Sequence, residues 1–240
     1  AIDPQTGQPI AVIEGTTITA IRTAAASAAA TDVLARKDSK TLAIIGAGVQ
    51  AREHIAAIRC VREIEQTFVV ARDPAQCERL VEDMAKADPP TGDITICESA
   101  DEAVARADIV CTVTTSADPV FSADAVRPGT HINAVGSYQP HVVEIPAETV
   151  QAARVFVDHR ESAMEEAGDL IQPIEAGLIA WGPVLGEVGD VLAGRVEGRP
   201  GDSDVTLFKS VGCAAEDCLA AGEVLARAKA LGVGDETALI

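Results

Sequence analysis

Residues 46–51 carry the pattern with the most specific chemistry in this sequence. They read Gly-Ala-Gly-Val-Gln-Ala, follow an apolar stretch and precede a segment with helical periodicity. In the G-x-G-x-x-A dinucleotide fingerprint, the first glycine allows a tight turn and the second lets the backbone approach a pyrophosphate. Gly46 and Gly48 take these places, and Val49 and Gln50 open the helix whose free N–H groups would face the anion. The alternative is a glycine turn that only lets a helix pack on a strand.

Arg72 marks the place where a dinucleotide site selects its cofactor. An NAD-selective site usually has Asp or Glu at the end of the second strand, where the carboxylate binds the ribose hydroxyls. Here residues 69–73 read Val-Val-Ala-Arg-Asp. A guanidinium can bind a 2′-phosphate through two parallel hydrogen bonds, so Arg72 favours NADP(H) as the cofactor. Asp73 keeps NAD(H) as an alternative, and an ordinary solvated charge is the other interpretation of Arg72.

Two later segments supply polar groups at the ends of predicted strands. Residues 112–116 end one strand in hydroxyl groups, and residues 131–137 end another with the sequence His-Ile-Asn-Ala-Val-Gly-Ser. Ligands of open α/β sheets bind at the carboxyl ends of the strands, so we expect both segments near a nicotinamide ring. Ordinary loops are the alternative for each segment. The cofactor contacts expected from these segments are Thr114, Asn133, Ala134, Val135 and Gly136.

Apolar strands alternate with helical periodicity over most of the chain. Short strands are predicted at residues 41–45, 66–71, 93–97, 109–113, 131–135, 155–157 and 205–208. Helices are predicted at residues 17–37, 49–61, 74–87, 100–107, 160–167 and 212–231. Nearly continuous apolar strands that alternate with helices indicate a parallel sheet covered on both faces, which is a doubly wound (Rossmann-type) α/β fold.

The domain assignment follows from where this alternation begins and ends. Residues 40–195 are predicted to form the dinucleotide-binding domain. Residues 1–39 and 196–240 flank it and are predicted to come together as a smaller second domain. A hairpin is expected within the first twenty residues, with a strand at residues 10–13. Residues 182–204 are expected to be a loop with one short helix.

Composition argues against several classes of function. The 240 residues include 37 acidic and 19 basic side chains, and the net charge of −18 argues against nucleic acid or an anionic membrane surface as a partner. No apolar run reaches the roughly 18 residues of a membrane span, and the first residues lack the pattern of a secretory signal, so we expect a soluble cytoplasmic protein. The six cysteines form no Cys-x-x-Cys pair, and the four histidines lack metal-ligand spacing. Reduced thiols and no metal site are therefore expected.

Further motifs follow one another in a specific order along the chain. They are residues 18–27, residues 46–51, residues 132–140 with Glu144, and residues 208–212 with Glu216 and Asp217. In this order they resemble the ornithine cyclodeaminase/mu-crystallin family. The resemblance implies a nicotinamide-binding domain with a smaller domain for substrate binding and dimerisation, incomplete here, and hence a homodimer. It also implies a role in amino-acid metabolism, since family members include ornithine cyclodeaminases, alanine dehydrogenases, and ketimine or Δ1-pyrroline-2-carboxylate reductases.

The resemblance also implies roles for individual residues. Arg22 matches the family arginine that binds the substrate carboxylate and reaches toward the cofactor phosphates, where Thr23 would assist. Ser210 and Val211 match residues beside the nicotinamide ring and the substrate. Independently of the resemblance, an arginine in an apolar, alanine-rich segment favours an anionic partner. The alternatives are a surface arginine on an amphipathic helix, and simple packing of Ser210 and Val211.

Four charged or titratable residues near these motifs are given ordinary roles. Lys209 is interpreted as a solvated lysine. Glu144 and Asp158 are interpreted as structural partners of arginines. His141 is interpreted as an incidental loop histidine.

Two departures from the family pattern limit the assignment of catalytic residues. The chain begins inside the pattern, and the upstream third, which in the family carries a substrate-binding arginine and a catalytic lysine, has no counterpart in these residues. The catalytic residues are therefore unknown. Tyr138 stands where cyclodeaminases have an aspartate as proton donor and acceptor. A phenol with a reference pKa of about 10 is a poor base at neutral pH, which counts against cyclodeamination.

These observations together predict an NAD(P)-dependent oxidoreductase. The expected reaction is hydride transfer at the Cα–N bond of a small amino acid or cyclic imine, with Arg22 binding the carboxylate. One alternative is an ornithine cyclodeaminase, a lyase that uses tightly held NAD. The other is a non-catalytic protein that binds a nicotinamide nucleotide or a small acid.

Overall fold

A parallel β-sheet forms the centre of the part of the chain that the computed structural model describes, which is residues 1–87, 93–179 and 184–235. Eight strands are found in these residues, in the order β3-β2-β1-β4-β5-β8-β6-β7. The strands are β1 (Thr41–Ile45), β2 (Gln66–Val70), β3 (Asp93–Ile96), β4 (Ile109–Thr112), β5 (His131–Ala134), β6 (Arg154–Val157), β7 (Val184–Glu187) and β8 (Thr206–Lys209).

Helices precede, connect and follow the strands. They are α1 (Gly15–Leu34), α2 (Val49–Arg59), α3 (Pro74–Ala85), α4 (Ala100–Arg106), α5 (Ala147–Ala152), α6 (Arg160–Glu166), α7 (Gly168–Glu175), α8 (Val188–Leu192) and α9 (Ala214–Leu231). In the described residues no helix is both long and apolar enough to cross a membrane.

Strand β1 shows how both faces of the sheet are covered. Leu42 and Ile44 pack into a core cluster with residues of α2 and α3, while Ala43 and Ile45 pack into a second cluster with residues of α4. Successive side chains of a strand point to opposite faces, so a strand with apolar residues at every position needs cover on both sides. The predicted doubly wound α/β fold is confirmed.

Helix α1 packs directly on this unit. Its many alanines allow a close approach to α2, and it also contacts α9, β5 and β8. The hydroxyl of Ser27 lies 2.9 Å from Nε2 of the buried His54 on α2. On the sheet side, the hydroxyl of Thr206 donates to the carbonyl oxygen of Leu34 at 3.0 Å.

Strand β8 lies inside the sheet, between β5 and β6, although it falls in the region 196–240 assigned to a flanking domain. The division of the chain into two domains stays a prediction, but its second boundary would have to leave β8 with the sheet. Residues 236–240 of that region lie outside the described residues.

Several predicted elements differ from the observed ones. The strand expected at residues 10–13 is wrong, because this segment forms no strand, although a bridge between Ile2 and Pro9 and backbone hydrogen bonds from Ile10 and Ala11 to Ala1 bring the two sides of the turn together. Strand β7 lies in the segment expected to be a loop with one short helix, whereas α8 agrees with the expected helix; residues 182–183 of this segment lie outside the described part. Helices α5 and α7 are not among the predicted elements.

Candidate active site

The loop between β1 and α2 has a conformation that requires glycine at its first position. Gly46 has a φ of +111°, and a Cβ atom there would lie 2.6 Å from the carbonyl oxygen of Val113. L-residues rarely adopt this backbone conformation, and the contact leaves no room for a side chain. Gly46 therefore lets the loop pass directly beside the end of β4.

Gly48 leaves an open space at the N-terminus of α2. Its backbone is extended, and a Cβ atom there would meet no other atom within 4 Å. No side chain caps this helix. Val49 is 58% exposed in the first turn, and the buried Oε1 of Gln50 has no hydrogen-bond partner among the described residues. An uncapped helix N-terminus attracts anions through its free N–H groups and its dipole, so this loop fits a pyrophosphate.

A cleft of about 810 Å³ opens at the carboxyl ends of the strands, where the strand order reverses between β1 and β4. Open α/β sheets bind their ligands in this crevice, and the volume is in the range of cofactor sites. Four of the predicted site residues, Gly46, Gly48, Arg72 and Thr114, line it together.

Arg72 and Asp73, which both line this cleft, differ in how their charges are used. Oδ1 of Asp73 accepts the N–H of Ala75 at 3.1 Å and caps α3, and its other oxygen lies 3.8 Å from Nη2 of Arg79. Arg72 is exposed and makes no hydrogen bond or ion pair with any other described residue. Its guanidinium is therefore available to an anion, whereas the carboxylate of Asp73 is already engaged.

Glu144 is completely buried between the ends of β4 and β5. Its Oε1 accepts the N–H and the hydroxyl of Thr114, both at 2.7 Å. Its Oε2 accepts the hydroxyl of Thr112 at 2.9 Å and the N–H of Gly136 at 2.7 Å. The interpretation of Glu144 as the partner of an arginine is wrong, because its carboxylate accepts hydrogen bonds from hydroxyl and backbone N–H groups at the two strand ends.

Lys209 and Asp169 form an ion pair next to Glu144, with Nζ and Oδ2 2.9 Å apart and both side chains 0% exposed. Oδ1 of Asp169 accepts the backbone N–H groups of Glu144 and Ile145, and Nζ of Lys209 donates to the carbonyl oxygen of Ala134 at 3.2 Å. Burial and the carboxylate of Asp169 raise the pKa of Glu144, against the lowering effect of Lys209. The interpretation of Lys209 as a solvated lysine is wrong, because every position of β8 is buried. The available sequence signal was its place at the end of an apolar strand.

Arg22 projects from α1 to the N-terminus of α9, where it forms two ion pairs. Its Nη1 lies 3.0 Å from Oε2 of Glu216, and its Nε lies 3.1 Å from Oδ1 of Asp217. The anionic partner expected for this arginine is thus present within the chain, and a carboxylate or phosphate ligand would compete with it. Thr23 is buried, and its hydroxyl donates to the carbonyl oxygen of Thr19 at 2.7 Å.

Asp158 organises the segment that follows β8. Its Oδ2 accepts the hydroxyl of Ser210 at 3.0 Å and the N–H groups of Val211 at 2.7 Å and Gly212 at 2.5 Å. In the described residues Asp158 makes no ion pair with an arginine, so that interpretation is also wrong. Ser210 and Val211 lie close to Arg22, whose Nη1 would contact a side chain at Gly212. These residues form a second group, separate from the residues that line the cleft.

Three residues predicted to contact the cofactor have side chains that lie in the core. Asn133 and Ala134 are 0% exposed, and Val135 is 7% exposed. The amide nitrogen of Asn133 donates to the hydroxyl of Thr31 on α1 at 3.0 Å, and its oxygen lies 3.2 Å from Nε2 of His131. Because these side chains are buried, a cofactor could reach the three residues only through their backbone, and their assignment to the cofactor site stays a prediction.

The loop after β5 exposes its titratable groups. Tyr138 is 57% exposed, and His141 is exposed as well. No group of three or more His, Cys, Asp or Glu side chains within the described ranges is arranged to hold a metal ion.

The model of the ornithine cyclodeaminase/mu-crystallin family matches residues 1–231. This match includes the glycine loop, the buried Glu144 and Lys209, and both groups of predicted site residues. The chain belongs to the ornithine cyclodeaminase/mu-crystallin family.

Several known proteins are similar to the chain over almost all of its length. A Δ1-pyrroline-2-carboxylate reductase of Bacillus cereus is 40% identical over 235 residues, which are 97% of this chain and 71% of that protein. A Thermococcus litoralis Δ1-pyrroline-2-carboxylate reductase, solved with NADH and L-proline, has a TM-score of 0.95 and 42% identity over 98% of this chain and 72% of its own. An archaeal alanine dehydrogenase dimer with bound NAD has a TM-score of 0.92 and 32% identity over 100% of this chain and 73% of its own.

Proposed function

We propose that this protein is an NAD(P)H-dependent reductase of a small cyclic imino acid, and that Δ1-pyrroline-2-carboxylate is its substrate. The observation that carries the proposal is the cleft at the reversal of strand order, where Gly48 and the uncapped start of α2 leave room for a pyrophosphate. The similarity to a reductase solved with NADH and L-proline supports the substrate class.

The residues of the chain take the following roles in this proposal. The loop of Gly46 and Gly48, with Val49 and Gln50, binds the pyrophosphate through backbone N–H groups. Thr114 borders the nicotinamide side of the cleft. A bound nicotinamide supplies the hydride that reduces the imine carbon.

The substrate end of the site is assigned to the second group of residues. Arg22 binds the substrate carboxylate in exchange for one of its acidic partners on α9 and also reaches toward the cofactor phosphates, beside Thr23. Val211 contacts the substrate, and Ser210 lies next to the nicotinamide. No residue of the chain is assigned as the donor of the proton to the imine nitrogen.

We further propose that NADP(H) is preferred over NAD(H). The support is the free guanidinium of Arg72 in the cleft, next to an Asp73 carboxylate that caps α3. A homodimer is also proposed. Its support is the alanine dehydrogenase dimer among the relatives and the apolar surface of α9, on which Leu219 and Leu231 are 76% and 75% exposed.

The test is a steady-state assay with the product of the complete reading frame. We expect NADPH to be oxidised in the presence of Δ1-pyrroline-2-carboxylate, with formation of proline. The control substrate is Δ1-pyrroline-5-carboxylate, which has no carboxylate on its imine carbon and should not be reduced. Release of ammonia from ornithine without net cofactor oxidation would favour the cyclodeaminase alternative. Nucleotide binding with no turnover of any imine would favour the non-catalytic alternative.

A further inference from the structure

Glu144 does not line the cleft, but it binds a residue that does. Its side chain is completely buried, whereas Thr114, which donates two of the four hydrogen bonds that Glu144 accepts, lines the cleft directly. The other two donors are Thr112 at the end of β4 and Gly136 just after β5. One carboxylate therefore joins the carboxyl ends of two neighbouring strands.

The carboxylate has no spare capacity for a further donor. Two oxygens with about four lone-pair directions accept four hydrogen bonds. The packing is also tight, since a Cβ atom at Gly136 would collide with the carbonyl oxygen of Thr114 and with Oε1 of Glu144. A shift of Glu144 would thus move Thr114 and Gly136 together.

A buried ion pair also holds Glu144 in place. Asp169 accepts the backbone N–H groups of Glu144 and Ile145, and Lys209 joins Asp169 to the carbonyl oxygen of Ala134 in β5. The main chain and the side chain of Glu144 are therefore both held by polar groups in the core, where such bonds are costly to break.

We propose that Glu144 is a positioning residue for the nicotinamide half of the bound dinucleotide. The two halves of a dinucleotide lie on opposite sides of the point where the strand order reverses. Arg72 at the end of β2 is on the adenosine side, and Thr114 and Gly136 are on the other. The inference rests on the proposed function, because it requires a nicotinamide dinucleotide in this cleft.

The test compares two ligands that differ only in the nicotinamide, NADPH and 2′-phospho-ADP-ribose. In Glu144→Gln, one of the two oxygens becomes an NH2 group that faces donors. We expect the Kd of NADPH to rise about tenfold, which corresponds to about 1.4 kcal/mol. The Kd of 2′-phospho-ADP-ribose should change by less than about twofold, since that ligand has the adenosine and the pyrophosphate but no nicotinamide ring. The fluorescence change of the bound dihydronicotinamide should also be reduced.

The matched control is Glu148→Gln, the same substitution on the exposed surface of α5, which should leave both Kd values unchanged. A second variant, Thr112→Val, removes one buried donor to Glu144 without touching the cleft lining. It should weaken NADPH binding in the same selective way, by about threefold, and it tests the inference even where Glu144→Gln does not fold.

Two results would overturn the inference alone. The first is that Glu144→Gln and Thr112→Val both bind NADPH with the wild-type Kd and the wild-type fluorescence change. The other is an equal loss of both ligands, which would mean that Glu144 only supports the fold. A wild-type protein that binds neither ligand would instead overturn the proposed function.

Discussion

Nζ of Lys209 and Oδ2 of Asp169 lie 2.9 Å apart at a depth where neither side chain touches solvent. Glu144 accompanies them, so the core below the ends of β5 and β8 contains two carboxylates and one ammonium group. Removing one member of a buried ion pair leaves an uncompensated charge, which costs more than the intact pair contributes to stability.

Replacement of Lys209 should therefore be strongly destabilising. We expect Lys209→Met to lower the free energy of unfolding by about 3–5 kcal/mol, because Asp169 and Glu144 would remain buried without their cation. Urea denaturation measures the change. The control is Lys229→Met on the exposed side of α9, where the effect should stay within about 0.5 kcal/mol. Equal effects of the two substitutions would contradict the structural role of Lys209.

The substitution Gly48→Asp should abolish dinucleotide binding while the protein remains folded. A side chain fits here because a Cβ atom meets nothing within 4 Å, but a carboxylate would occupy the position of the pyrophosphate. Calorimetry with NADPH and NADH measures the loss. Gly222→Asp, an equally unobstructed position on α9, is the control and should bind both nucleotides normally. Unchanged nucleotide affinity in Gly48→Asp would contradict the assignment of this loop as the cofactor site.

Arg72 is expected to select between the two cofactors. Arg72→Ala should weaken NADPH binding by about one to two decades, since a charge-assisted hydrogen bond contributes roughly 1.5–3 kcal/mol. NADH binding should change little. Arg79→Ala removes a nearby arginine that does not line the cleft and should have no such effect. A wild-type protein that already prefers NADH would refute the proposed selectivity.

Tyr138 is expected to exclude cyclodeaminase activity. A phenol is a much poorer acid–base catalyst near neutral pH than the carboxylate that cyclodeaminases have at this position. The complete gene product, incubated with ornithine and NAD, should release no ammonia. Robust release of ammonia by the wild-type protein would indicate that it is a cyclodeaminase, which is a lyase. Release that appears only in Tyr138→Asp would locate the divergence from cyclodeaminases at this residue.

Two buried histidines should make stability depend on pH. Burial lowers the pKa of His54 to about 4 and that of His131 to about 3. Below the ordinary pKa of about 6.5, the unfolded chain binds protons that the folded protein excludes, so stability is complete above that pH and falls as the pH drops toward 4. Each histidine contributes a slope of up to about 1.4 kcal/mol per pH unit.

Urea unfolding at several pH values measures this slope. His54→Gln should reduce the slope of unfolding free energy against pH, between about pH 6.5 and 4, by up to about 1.4 kcal/mol per pH unit, which is the contribution of one histidine. His141→Gln changes an exposed histidine and should leave the slope as it is in the wild type. A slope that is identical in all three proteins would contradict the buried neutral state of His54.

Much of the fold was predictable because its determinants are local. Strand β1 has the predicted bounds, and α2 and β2 begin where predicted. Apolar periodicity records which faces of an element are buried, and the glycine at position 46 is part of a fingerprint that can be identified in the sequence. The sequence alone thus determined the doubly wound sheet, the glycine loop and the place of Arg72 at a strand end.

The buried polar groups were decided by the tertiary structure. Glu144 and Thr112 are 32 residues apart in sequence, and Asn133 and Thr31 are 102 residues apart. The place of Lys209 at the end of an apolar strand could indicate burial, but it does not show the partner, because Asp169 lies 40 residues away on α7. Whether a polar side chain is buried, and what satisfies it, depends on which distant segments pack over it. Local patterns carry no record of that packing, and only the assembled fold decides it.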